Sequence, residues 1–405
     1  LPYDSSLSAD LMRGLKKQNF LIMEQTAGPL GWSVFSRSPQ PGELRKICYQ
    51  QLAHGADGQI WFRWRSCTVG REQYWHGLLG HDGKAGRRYR EAAQVAKEYH
   101  RLAPLLAGTT VKSDVAIVYD YDSIWALQIQ NGYPGASHAD AIKRYYNALF
   151  RAGVNVDVIQ PGDELSGYKL VLAPHLHVLA DDVANELVEY VRNGGVLLAD
   201  CRTAVKDESN LAYARTLPGL LAPALGIEIG EYESLRQGIQ DKDEVTYKIR
   251  ADGLAGGEYT AIRYADWITP TTATPIARYE PTHLASYAAV TRNQFGTGVG
   301  WYVGTIVDDP KFYDQLIARL LADAKLKPLV APPPGVEVSV RSGADRALLF
   351  VINHAEQPAT VSVPSGRKEL LSGKETGESL QLDAFGVAVI ELRSTDLESE
   401  PRAAR

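Results

Sequence analysis

Cysteine is scarce in this 405-residue chain, which has three: Cys48, Cys67 and Cys201. The number is odd and no CxxC spacing occurs, so neither a disulfide framework nor a zinc knuckle is indicated, and a reducing, cytoplasmic setting is the simpler expectation. A basic excess is missing as well. The 43 Lys and Arg against 48 Asp and Glu leave a formal charge of −5, which gives no positive field for nucleic acid or an anionic membrane. No apolar run approaches the roughly 18 residues of a spanning helix, and no internal repeat recurs. Methionine is limited to Met12 and Met23, and the sequence starts at Leu1, so it does not read as an intact translation product; a signal ahead of Leu1 would be lost with the start. What is present, 45% hydrophobic and 22% charged residues, is the make-up of a globular protein long enough for two or three domains, with a neutral or small-molecule partner.

Residues 1 to about 103 alternate strand and helix. Asn19 to Met23 reads as a strand, Pro41-Gly42 opens a helix with Leu44, Ile47, Cys48 and Leu52 on one face, and Gly55 stops it. A second strand, Ile60 to Trp64, precedes a helix from about Gly86 with Tyr89, Ala92, Ala93, Ala96 and Tyr99 on one face. This order predicts a parallel βαβα unit, too few strands to close a barrel. From about 112 to 329 lies a second α/β block. Its short apolar strands, Val115 to Tyr119, Val156 to Ile159, Leu170 to Ala173 and Gly195 to Ala199, predict a parallel sheet covered on both faces, followed by β-rich segments from about 226 to 303 and a helix from Lys311 to Ala324. Pro332-Pro333-Pro334 reads as a linker. Residues 335 to about 393 alternate with a period of two between Ser-Gly turn signals, as in a small antiparallel β domain. The expected division is 1–103, 104–330, 331–393 and a disordered tail, 394–405.

Glu24 stands at the carboxyl end of the first apolar strand, where a barrel carboxylate reads as catalytic. Four of the seven tryptophans, Trp32, Trp61, Trp64 and Trp75, fall in the first 80 residues. Aromatic faces beside carboxylates suit neutral sugars, although large aromatics also fill barrel cores. Cys201 follows a sheet strand, which invites a nucleophile reading, but the small-residue elbow of such a nucleophile is missing and a packed thiol is favoured, as it is for Cys48 and Cys67. Gly296, Gly298 and Gly300 precede a strand rather than follow one, so no dinucleotide site is read.

The segments Met23-Glu24-Gln25, Gly31-Trp32, Pro41 to Arg45, Ala53 to Gly58, Phe62 to Arg65 and Glu72 to Gly77, in this order and spacing, resemble the family 42 glycoside hydrolases, the β-galactosidases. The resemblance implies an α/β chain made of the last two βα units of a (β/α)8 barrel, a flavodoxin- or amidotransferase-like trimerisation domain and a small antiparallel β domain. It implies a homotrimer, a galactoside substrate and no cofactor; the zinc cluster of some members belongs to a barrel region outside this sequence. By position, Glu24 would be the nucleophile at the end of the seventh strand, Glu72 and His76 would hydrogen-bond galactose hydroxyls, and Trp32 would wall the sugar site. Trp75 competes with His76 for the histidine's place, and Glu72 is otherwise an exposed loop carboxylate. Arg63 and Arg65, two apart on a strand, would face one side and orient Glu24, or else form a solvated pair.

A retaining glycosidase needs a second carboxylate as acid and base. In this family it follows an asparagine at the end of the fourth strand, and residues 1–18 hold no Asn-Glu pair; Asn185-Glu186 lies in a predicted helix of the second block. The chain is therefore expected to be a C-terminal portion of a β-galactosidase, inactive alone. The alternative is a non-catalytic trimeric module with a vestigial barrel remnant, and a third reading is an amidotransferase-like hydrolase using Cys201.

Overall fold

The computed structural model describes residues 2–397 apart from 237, 239–243, 256 and 282. The chain divides into two compact units: Leu1–Lys112 with Gly153–Asn155 and Pro328–Arg405, and Ser113–Ala152 with Val156–Lys327. Among the described residues no helix is long and apolar enough to cross a membrane.

The first unit opens with α1 (Pro2–Gly14), β1 (Phe20–Thr26), α2 (Glu43–Ala53), β2 (Ala56–Phe62), α3 (Arg87–Leu106) and the short β3 (Thr110–Val111). β1 and β2 pair in parallel with α2 as the crossover, as the alternating pattern predicts. Leu44, Cys48, Tyr49 and Leu52 form the buried face of α2. Two expectations shift. The second strand is Ala56–Phe62 rather than 60–64. α3 buries Ala92, Val95, Leu102 and Leu106, while Ala96 is exposed: the larger aliphatic side chains, not the alanines, decide which face turns inward.

The second unit comprises β4 (Val115–Val118), α4 (Tyr121–Ile129), α5 (His138–Ala152), β5 (Asp157–Ile159), β6 (Leu170–Ala173), α6 (Asp181–Arg192), β7 (Val196–Asp200), α7 (Ala222–Leu225), β8 (Ile227–Ser234), β9 (Tyr247–Ala251), β10 (Gly257–Pro270), β11 (Thr274–Tyr279), β12 (Ala288–Phe295), β13 (Gly298–Val303), β14 (Thr305–Val307) and α8 (Pro310–Asp323). Its described residues form an 11-stranded sheet in the order β14-β10-β9-β11-β12-β13-β7-β6-β4-β5, with β8 beside β10. β13, β7, β6, β4 and β5 run parallel. β4, β6, β7 and β13 are buried throughout, as continuous apolar strands require. The glycine run belongs to packing: a Cβ on Gly298 would meet the Val191 and Gly195 carbonyl oxygens at 2.1 and 2.3 Å, and one on Gly300 the Ala224 oxygen at 2.3 Å.

The chain then returns to the first unit with β15 (Val336–Ser342), β16 (Ala347–Asn353), β17 (Ala359–Ser362), β18 (Ser379–Leu382), β19 (Val387–Leu392) and α9 (Ser394–Leu397). The antiparallel order β19-β16-β15 is extended by β3. β16 is buried on both faces. Leu348, Phe350 and Ile352 pack on Tyr49, Leu52 and Leu102 of the helices, while Leu349 and Val351 pack on Val361 and Leu382. This shared core folds residues 328–397 together with residues 2–112. The first residues of the expected disordered tail are instead a helical turn, because the Asp396 carboxylate accepts from the Arg393 N–H and the Arg367 guanidinium; residues 398–405 lie outside the described set.

Candidate active site

Glu24 owes its direction to an irregularity in the β1–β2 pairing. Ile22 pairs with Gln59 but Gln25 pairs with Trp61, so three steps on β1 face two on β2 and one extra residue bulges at Met23-Glu24. A bulge breaks the alternation of faces and re-aims the side chains at it. Met23 and Glu24 are accordingly both exposed, whereas Gln25 is buried and accepts a 2.8 Å bond from Gln51 Nε2 of α2. Among the described residues no hydrogen bond is formed to the Glu24 carboxylate.

Beyond Glu24 and Phe62, the loops that follow the two parallel strands lean on one another. The segment after β2 doubles back, with Leu78 and Leu79 N–H groups donating to the Arg63 and Trp64 carbonyls at 2.8 Å. The main-chain N–H of His76 donates to the Pro29 carbonyl at 2.9 Å. Trp75 sits between the two loops, edge-on to Trp32 at 5.2 Å and to Phe62 at 5.8 Å. Trp32 remains 56% exposed, and Gly31 before it is obligatory, since a Cβ there would meet the Val34 carbonyl oxygen at 1.9 Å.

Glu72 forms an ion pair with Arg63, whose guanidinium also lies 4.3 Å from the Phe62 ring centre. The His76 ring places Nδ1 3.1 Å from the Pro29 carbonyl and 3.0 Å from that of Tyr74; carbonyls only accept, so Nδ1 carries a proton. Glu24, Trp32, Glu72 and His76 thus stand on the loops and strand end at one end of the β1–β2 pair. The expectation that Arg63 and Arg65 orient Glu24 is not met: Arg63 pairs with Glu72, and Arg65 Nη2 donates to the His81 carbonyl at 2.8 Å. The two-residue period fails there because the strand ends at Phe62. A cleft of about 340 Å³, lined by Ser38, Asp82, Lys84, Arg87 and Arg88, lies at the start of α3 and includes none of the four.

Two buried polar sets escaped sequence reasoning, since their members are far apart in the chain. In the first unit, the His54 ring nitrogens lie 2.8 Å from Asp10 Oδ1 and 2.6 Å from Glu337 Oε1, while His354 Nε2 lies 2.6 Å from the other Glu337 oxygen. Arg13 pairs with Asp10. Burial opposes charge on His54, but Asp10 and Glu337 outweigh it and raise the imidazole to about 10. Burial likewise opposes charge on Glu337, and the two histidines outweigh it, lowering the carboxyl to about 2.

In the second unit, His175 Nδ1 lies 2.9 Å from Asp200 Oδ1, Tyr133 Oη lies 2.5 Å from His175 Nε2, and Cys201 Sγ lies 3.9 Å from the same nitrogen. The order resembles a nucleophile, base and acid, but Cys201 is fully buried among Tyr133, Tyr264 and Ile306. Burial pushes its thiol well up, which disfavours the thiolate. His175, Asp200 and Cys201 bring donor atoms within 4.8 Å of one another, yet both His175 nitrogens are already engaged, so the set does not fit a metal as it stands.

Comparison with known proteins places these features in a family. Residues 113–327 match the family described as beta-galactosidase trimerisation domain, residues 1–102 the beta-galactosidase family and residues 335–392 the beta-galactosidase C-terminal domain. The β-galactosidase BgaA of Clostridium cellulovorans is 32% identical over 392 residues, which cover 96% of this chain and 58% of that protein. BgaH of Haloferax lucentense is 35% identical over 401 residues, 98% of this chain and 57% of that protein. The crystal structure of the β-galactosidase from Bacillus circulans sp. alkalophilus superimposes with a TM-score of 0.90 at 30% identity, over 96% of this chain and 58% of the other. The chain spans a little over half the length of the curated relatives it matches.

Proposed function

This chain belongs to the family 42 glycoside hydrolases, the β-galactosidases, and from that membership we propose that it is the C-terminal portion of a retaining β-galactosidase that removes terminal non-reducing β-D-galactose. The observation that carries the assignment is Glu24, turned outward by the bulge near the carboxyl end of β1 beside the loops that bear Trp32, Glu72 and His76. In this reading the Glu24 carboxylate attacks the anomeric carbon and forms a galactosyl ester. A second carboxylate, about 5 to 5.5 Å away, protonates the leaving oxygen and then activates the water that cleaves the ester. Two carboxylates suffice for this chemistry, so no cofactor is invoked.

Trp32 offers an exposed apolar face for the sugar ring. Glu72, held by Arg63 through one oxygen, keeps the other for a sugar hydroxyl, and His76, anchored through Nδ1, presents Nε2. The parts of this reading are a barrel portion at 1–103, an α/β trimerisation domain at 104–330 that makes a homotrimer, and a small β domain at 331–393. The acid/base glutamate belongs to barrel strands that are not in this sequence. The chain alone is expected to leave a nitrophenyl β-galactoside intact, since general acid help is typically worth about 10² to 10⁴-fold and most of the sugar site is also missing. Turnover by the purified chain that disappears in Glu24→Gln would refute this division of the site, and sedimentation checks the trimer.

A further inference from the structure

The second unit holds a cavity for which the galactosidase reading has no use. Its volume is about 570 Å³, and Asn131, Gly132, Tyr133, Pro134, Ser234 and Arg236 line it. It lies where open parallel sheets hold ligands. From β4 the chain steps to the edge strand β5 and returns on the opposite side at β6, and such a switch leaves a crevice outside the carboxyl ends of the strands. The segment between α4 and α5 folds over these ends: the Asp120 N–H, just after β4, donates to His138 Nε2 at 2.9 Å, and Tyr133 meets His175, just after β6.

Arg236 brings a cation to this lining, and Arg202, Lys206 and Arg263 stand behind it. Arg202, just after β7, is 8% exposed. Its guanidinium lies 5.5 and 5.8 Å from the Tyr232 and Tyr264 ring centres, and its buried Nε has no hydrogen-bond partner. It is aimed at the cavity wall, for a Cβ on Gly132 would come within 3.2 Å of Nη2. Buried Lys206 donates to the neutral Gln130 Oε1 at 3.1 Å. Arg263 approaches Gly135 of the same segment, its Nη1 3.2 Å from where a Cβ would stand. Among the described residues none of Arg202, Lys206, Arg236 and Arg263 forms an ion pair with a carboxylate. Asp266 accepts from the Tyr264 and Tyr302 hydroxyls at 2.9 and 2.8 Å, and burial pushes it up to about 7, so beside the Tyr264 hydroxyl that bonds Arg202 it offsets that one guanidinium only in part.

A buried cation without an opposite charge is costly, and the planar arginine fork matches carboxylate and phosphate oxygens. We propose that this cavity binds a small oxyanion, a carboxylate or phosphate group seated on Arg202 and Arg236, with Asn131 and Ser234 as neutral hydrogen-bond partners. The site shares no residue with the galactosidase reading, so it can be tested without catalysis.

Titration calorimetry of the whole chain at fixed ionic strength, with inorganic phosphate and with citrate in turn, should give saturable one-to-one binding of at least one. Phosphate alone would assign a phosphoryl ligand and citrate alone a carboxylate. Loss of a charge-assisted hydrogen bond predicts binding weaker by about tenfold or more in Arg202→Gln and in Arg236→Gln. Arg236 is only half-buried, so its variant carries the test even where Arg202→Gln fails to fold. The exposed pair member Arg151 is the control, and Arg151→Gln should bind as the parent does. Absence of saturable binding for both anions, or unchanged binding in Arg236→Gln, would overturn the proposal.

Discussion

Two polar regions of the first unit differ in what their hydrogen bonds already hold. At the open ends of β1 and β2, Glu24 is exposed, Glu72 meets one arginine and Trp32 shows more than half its surface. In the interior, Asp10, His54 and Glu337 are buried and each is bonded to another member of the set. The His175 and Asp200 pair in the second unit repeats the closed pattern. Carboxylates and histidines occur in both regions, so residue type does not separate chemistry from structure. A carboxylate can act on a substrate only where space and unfilled acceptor positions remain.

The widest gap between the regions should come from their glutamates. In the longer protein that carries this chain, Glu24→Gln should lower kcat/KM by on the order of 10⁴-fold or more and leave the thermal midpoint unchanged, because nothing structural rests on its carboxylate. Glu337→Ala should do the reverse. It removes the buried carboxylate that His54 and His354 share, a loss of about 3–5 kcal/mol in denaturant unfolding of this chain.

The interior set also has a pH signature. His54 is raised above its ordinary value, so its contribution is complete below about 6.5 and lost as pH rises through about 10. Glu337 is depressed, so its contribution holds above about 4.5 and is lost as pH falls towards about 2. Denaturation midpoints across that range check both limbs, and a flat profile that matches Glu337→Ala would erase the distinction between the regions.

Smaller effects sharpen the same contrast. Trp32→Ala in the longer protein should raise KM by about tenfold while kcat changes little, as expected for loss of an aromatic platform worth about 1 to 1.5 kcal/mol; a pure kcat effect would place Trp32 elsewhere in the mechanism. Cys201→Ala should cost about 1 kcal/mol and no activity. A thiol reagent added to the folded chain should modify the part-exposed Cys67 and spare the buried Cys48 and Cys201. Rapid modification of Cys201 would move the second unit's cluster from the closed class to the open one.

What could be read from the sequence was local. The apolar runs from Val115 to Ala199 gave the buried parallel strands, and the alternation from Phe20 to Leu106 gave the βαβα order, because each depends on neighbours a few residues away. The placement of Glu24 on a strand was legible for the same reason. Its bulge was not, since register is a property of two strands at once. Arg63 reached Glu72 rather than Glu24 because the strand ends at Phe62, which a two-residue period cannot reveal. The Asp10, His54 and Glu337 set joins α1, the end of α2 and β15, and no short motif marks residues that meet only after the chain returns from the second unit. The packing of β16 against α2 and α3 was hidden in the same way.

The most direct test of the nucleophile assignment is to treat the longer protein with a 2-deoxy-2-fluoro-β-galactoside bearing a good leaving group, and to map the trapped sugar by peptide mass spectrometry. One added 2-deoxy-2-fluorogalactosyl mass is expected on the peptide that contains Glu24, and none in Glu24→Gln. An adduct on another carboxylate, with Glu24 unmodified, would contradict it.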